Sequence, residues 1–215
     1  MMKLRRLSVA LAALLAPVAA APVASVASAA PAHAANPSGT RSLAAVLTSR
    51  GYAFDHDWHD YDILTHAVLA VLAAKPHSPV TVLTDGARPL TAFLPDDRAF
   101  RRLAQDLTGR ELCSEQAVFD ALVKKAGVNT IESVLLYHVV PGATVDAATA
   151  GRSDGARLTT ALGGATVTVD VDGRRISLVD KDPNSANPAV TAPDINKGNR
   201  QIAHGITRVL RPLDL

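Results

Sequence analysis

The chain has 215 residues, with 22 Lys and Arg against 20 Asp and Glu and a formal net charge of +2. That length holds one domain with an appendage, and 20% charged with 48% hydrophobic residues excludes a disordered chain. Aromatics reach only 4%, which argues against a stacking surface for nucleic acid, and the single cysteine, Cys113, excludes an internal disulfide or a zinc site of several thiolates.

Residues 1–34 read as a secretory signal peptide of bacterial type. Lys3, Arg5 and Arg6 precede an Ala/Leu/Val run that closes in small residues. Cleavage fits after Ala29 or after Ala34, and the second is preferred because Asn36-Pro37-Ser38-Gly39 reads as a mature tail. Pro17, Pro22 and the weak hydrophobicity of Ala argue against an uncleaved membrane anchor. No cysteine stands near either site, which excludes a lipoprotein. Taking Lys3, Arg5 and Arg6 from the 22 basic residues leaves 19 against 20 acidic ones. The mature chain is therefore near neutral and has no electrostatic reason to bind nucleic acid or an anionic membrane.

Residues 35–60 form an N-terminal extension ending in Asp55-His56-Asp57-Trp58-His59-Asp60, and the domain proper is expected over 61–215. Asp62 is expected to cap a strongly apolar helix through Ile63, Ala67, Val68 and Val71 that stops at Lys75-Pro76. Short strands follow at Val80–Leu83 and Leu90–Leu94. Pro95-Asp96-Asp97 opens a second helix that ends at Gly109. A third spans Ser114–Ala126, with Gly127 as its stop, and a fourth runs from Thr130 through Val139 to Pro141-Gly142. The second half is strand grammar: Ala165–Val171, a turn at Asp172-Gly173, a return over Arg174–Asp180, then Val190–Ile195 and Ile202–Leu210. Helices in the first half and strands in the second give an α+β class.

Three segments carry a family resemblance. Thr91-Ala92-Phe93-Leu94-Pro95-Asp96-Asp97-Arg98-Ala99-Phe100 is similar to the T-x-F-x-P-(T/D)-(N/D)-x-A-F signature of the fasciclin (FAS1) domain. Val134-Leu135-Leu136-Tyr137-His138-Val139-Val140-Pro141-Gly142 resembles its L-x-Y-H-V-x-x-G segment, and Ile202–Pro212 its closing strand. The family often has Asn-Gly before that strand, where this chain has Asn199-Arg200. The resemblance implies a β-wedge with helices packed on it, secreted or extracellular, without catalysis or cofactor. Its expected role is adhesion or interaction with an extracellular or cell-envelope protein or polysaccharide. In animal members the Tyr-His segment and an Asp-Ile pair are associated with receptor binding. The matching positions are Tyr137, His138, Asp194 and Ile195.

Each tempting constellation has a plainer reading. Tyr137 and His138 end an apolar helix, where a half-buried pair hydrogen-bonded to the backbone is the favoured alternative to a binding surface. Gly151-Arg152-Ser153-Asp154-Gly155 matches G-x-S-x-G but lacks the strand before it and the helix after it that a nucleophile elbow needs, so no catalytic residue is assigned. His56 and His59 among Asp55, Asp57 and Asp60 could hold Zn²⁺ or Cu²⁺ weakly. A solvated acidic stretch before a helix N-terminus is preferred, and no metal is assigned. Asp180-Lys181-Asp182 opens like a calcium loop but lacks its sixth and twelfth residues. Cys113 is expected to be partly buried and inert. The alternative to adhesion is capture of an apolar small molecule or lipid between the 62–75 helix and the sheet, suggested by the Ala67–Ala74 face.

Overall fold

The computed structural model describes residues 39–49 and 51–213; the expected signal peptide and its candidate cleavage sites lie outside the described residues. Helix α1 (Leu43–Thr48) is followed by α2 (Asp62–Ala74), a 3₁₀ turn (Pro79–Thr84) and strand β1 (Leu90–Pro95). Helices α3 (Asp97–Thr108) and α4 (Glu115–Tyr137), strand β2 (Val139–Pro141) and the short α5 (Ala147–Ala150) come next. The chain closes with β3 (Arg157–Thr159), β4 (Thr166–Asp172), β5 (Arg175–Val179), β6 (Val190–Ile195) and β7 (Gln201–Ile206).

The strands form a four-stranded sheet of order β2-β1-β7-β6 and a three-stranded sheet of order β3-β4-β5. Among the described strands, β1 and β7 are the pair that runs in parallel, and both are buried along their whole length because layers cover both of their faces. Leu90, Ala92 and Leu94 point into a core shared with Val68, Val71, Phe100 and Leu135 of the helices. Phe93 faces a second core between the sheets, with Val140, Val167, Val169, Leu178 and Ile206. Alternation along β1 thus seals two cores at once. Backbone bonds tie the sheets together at both edges, from Ala161 N to Val139 O (2.7 Å) and from Leu178 N to Pro188 O (2.9 Å).

Several sequence expectations are corrected. Residues 80–83 are not a strand. Pro79 at the first helical position, Ser78 Oγ accepting from Val80 N, and hydroxyls of Thr81 and Thr84 bonding carbonyls three residues back all favour a 3₁₀ turn. Val139 belongs to β2 and not to a helix, since α4 stops at Tyr137 and His138 takes the C-cap. Gly127 does interrupt α4, with φ 69° and ψ 165°, a conformation open to glycine. Helix α1, absent from the sequence reading, places Leu43 and Leu47 in the helical core. Gln201, fully buried, fastens that helix: its Oε1 accepts from Leu43 N (2.8 Å), and its Nε2 donates to Val82 O and Asp85 O.

Candidate functional site

Tyr137 and His138 are structural in their geometry. The Tyr137 hydroxyl donates to Thr166 O (3.0 Å), joining α4 to β4, and its ring is fully buried. Burial, aided by Asp180, pushes that phenol up to about 12. His138 Nε2 accepts from Leu210 N (2.9 Å), while Nδ1 lies 2.7 Å from Val134 O. Only the tautomer with its proton on Nδ1 satisfies both partners. Burial lowers the imidazole to about 4, against the opposing pull of the Val134 carbonyl. The pair therefore ties α4 to β4 and to the segment after β7 from inside the fold.

Asp194 and Ile195 lie elsewhere. They end β6, at the opposite edge of the four-stranded sheet from β2, so the two residue pairs do not converge. The β6–β7 register shifts between Ala192 and Ile195, and Asp194 has φ 60°. Short-side-chain residues such as Asp and Asn tolerate that left-handed region. Asp194 Oδ1 accepts from Ala147 N (2.7 Å), Oδ2 pairs with Lys197 Nζ (2.7 Å), and its own N–H donates to His204 Nδ1 (3.2 Å). Burial opposes ionisation of Asp194, but Lys197 and the Ala147 amide hold its carboxyl below the usual range.

Beside Ile195 opens a cleft of about 620 Å³. Val46 and Leu47 of α1, Leu94 of β1 and Ala192 and Ile195 of β6 give it apolar walls, and Asp55, Asp57 and Asp60 an acidic rim. The Ala67–Ala74 face does not line this cleft; Ala67, Val68 and Val71 are buried in packing.

The acidic knot is built into helix starts and is more than a solvated stretch. Asp62 does not cap α2: Tyr61 holds the cap position, its side chain makes no capping bond to the helix amides, and Asp97, from α3, supplies the acceptor for Ile63 N (3.0 Å). Backbone N–H groups of Asp97 and Arg98 donate to Asp60 O and Trp58 O, and His56 N donates to Glu115 Oε2 (3.2 Å). Burial raises Asp97 to about 9, reinforced by the neighbouring Asp60 carboxyl. Asp62 is raised to about 6 by burial and then by its acidic neighbours. His56 and His59 are exposed, and His59 Nδ1 takes a hydrogen bond from Arg98 (3.2 Å). Glu115 and Asp97 escaped the sequence reading because each looked like an ordinary first-turn acid of its own helix.

The remaining motifs have structural uses. Ser153 Oγ donates to Thr149 O (2.7 Å), and both ring nitrogens of His204 are engaged, by Asp194 N and Val145 O, so the two residues form no nucleophile–base bond. Asp180 and Asp182 hold Arg211. Asp180 Oδ2 accepts from its backbone N–H (2.8 Å), and Asp182 Oδ2 pairs with Nη1 (2.9 Å) while Asp106 pairs with Nη2. Cys113, expected to be partly buried, is exposed.

A mixed four-stranded sheet closed by a β7 that runs parallel to β1, an antiparallel three-stranded sheet and the helices packed on them define an α+β domain. The model of the Fasciclin domain family matches residues 65–212, and the chain belongs to this family. Among solved structures, a FAS1 domain pair from the insect cell adhesion molecule Fasciclin I is similar at 18% identity and a TM-score of 0.48. The match covers 69% of this chain and 46% of that one. No curated protein sequence matches. Among the described residues, no helix is long and apolar enough to cross a membrane.

Proposed function

We propose that the chain is exported, loses residues 1–34, and works as a secreted, non-catalytic fasciclin domain that mediates adhesion or interaction at a bacterial cell surface. Its partner is an extracellular or cell-envelope protein or polysaccharide. The observation that carries this reading is the family match over most of the mature chain. Of the four residues singled out for partner binding, Asp194 and Ile195 form the contact surface, supported by their half-exposed position on a turn held from three sides. Tyr137 and His138 serve that surface indirectly, by fixing the frame that carries it. Binding of the mature protein to cell-envelope preparations and to purified polymers tests this. An Ile195→Asp variant that folds should lose binding; retained binding places the surface elsewhere.

The cleft beside Ile195 favours a second reading, capture of a small apolar or lipid-like ligand. Lipid extracted from protein purified from its native host, identified by mass spectrometry and displaced by Ala53→Trp at a residue that lines the cleft, would support it. Protein that carries no extractable lipid and binds no apolar dye would remove it.

A further inference from the structure

Three helices begin at one place, and each begins with an acid: Asp62 in α2, Asp97 in α3 and Glu115 in α4. The 55–60 loop crosses these starts and adds Asp55. One carboxylate oxygen from each of Asp55, Asp62 and Glu115 lies within 4.8 Å of the other two. Ligands about 2.4 Å from a shared ion are at most about 4.8 Å apart, so one centre can reach all three.

Glu115 makes the cluster more than a collection of surface acids. It has no exposed surface, Oε2 is occupied by His56 N, and Oε1 has no hydrogen-bond partner among the described residues. Leaving a buried carboxylate oxygen unpaired is costly. Helix amides do not repair it: Ile63 N goes to Asp97, Ala99 N to Asp96 and Ala117 N to Ser114. None of Asp55, Asp62 and Glu115 joins a salt bridge among the described residues.

We propose that Asp55, Asp62 and Glu115 form a binding site for a hard divalent cation of calcium size. The donor set is all oxygen, which selects against zinc and copper. It comes from one loop and two helix starts. That irregular set suits calcium, which takes six to eight oxygens flexibly, better than magnesium, which demands a near-ideal octahedron. Exposed Asp55 lets water complete the shell. The ion ties the 55–60 loop to α2 and α4, and so fixes the acidic rim of the cleft. This site is independent of the adhesion reading.

The test uses mature protein stripped with a chelator, melted with and without CaCl₂ at constant ionic strength. A site of about 1 mM affinity raises Tm by about 3–5 °C at about 10 mM calcium. Tb³⁺ bound there should luminesce through Trp58, which stands on the same loop. Asp55→Asn, at an exposed position, should fold normally and weaken binding by about tenfold or more; Glu115→Gln should do the same. No calcium shift and no Tb³⁺ luminescence overturns the proposal. So does a shift that Asp55→Asn leaves unchanged, or one that magnesium matches at equal concentration.

Discussion

Replacing His138 with Phe should convert a pH-dependent protein into a less pH-dependent one. In the folded chain Nε2 is an acceptor for Leu210 N, so a proton there would set two donors against each other inside a buried site. The imidazole is accordingly lowered from 6.5 to about 4. A gap of that size is worth about 3 kcal/mol at about 1.4 kcal/mol per unit. Because the unfolded chain binds the proton first, the contribution is complete above pH 6.5. It drains away as pH falls towards 4, then stays level. Phe keeps the ring but strands Leu210 N–H and Val134 O, costing about 2–4 kcal/mol at pH 7. Urea unfolding of both proteins, followed by circular dichroism and the fluorescence of the single tryptophan, measures this between pH 7 and 4. The gap between them should narrow by about 3 kcal/mol across that range, while titrations common to both cancel. A gap that stays constant refutes the buried, neutral imidazole.

Gly86→Ala should destabilise by about 2 kcal/mol or more, because its Cβ would lie 1.8 Å from Thr40 O and would lift residues 40–42 and α1 off the core; hydrogen exchange at Leu43 and Ala45 reads that release. Arg211→Met leaves Asp182, which is buried, without its cation, and should cost about 3–5 kcal/mol in chemical denaturation. The double variant Arg211→Met with Asp182→Leu should recover most of it, since the loss comes from an unpaired charge and not from a missing attraction.

The strand and helix pattern was legible wherever local signals agreed. Asp96 caps α3 by accepting from Ala99 N (2.8 Å), Gly109 ends that helix in the left-handed region, and the β4–β5 hairpin pairs Val169 with Leu178 as alternation required. Residues 80–83 misled because Val-Thr-Val-Leu is strand-like in composition, while Ser78-Pro79 just ahead favours a 3₁₀ turn. Helix α1 was invisible because six residues carry little periodicity, and its stability comes from Gln201 and the core. The site was less legible than the fold. Tyr137 and His138 were read with their plainer alternative in view, and the backbone partners named for them in principle are Thr166, Val134 and Leu210 in fact. By contrast, the approach of Asp55, Asp62 and Glu115 depends on a loop and two helix starts meeting, a long-range event that no local spacing encodes.

Asp194 separates a residue that touches a partner from one that shapes the surface. Its two oxygens are committed to Ala147 N and Lys197, and its backbone sits at φ 60°. Asp194→Asn keeps an acceptor for Ala147 and a side chain suited to that conformation, losing only the exposed Lys197 pair, so it should cost less than about 1 kcal/mol. Asp194→Ala removes the acceptor and strains the turn, for about 1–3 kcal/mol. If Asp194 acts by shaping, the Asn variant binds its partner nearly as well as the parent chain and the Ala variant binds in proportion to its lost order. A folded Asn variant that loses binding altogether would instead make the carboxylate itself the contact, with Lys197 as the counter-ion that a partner must displace.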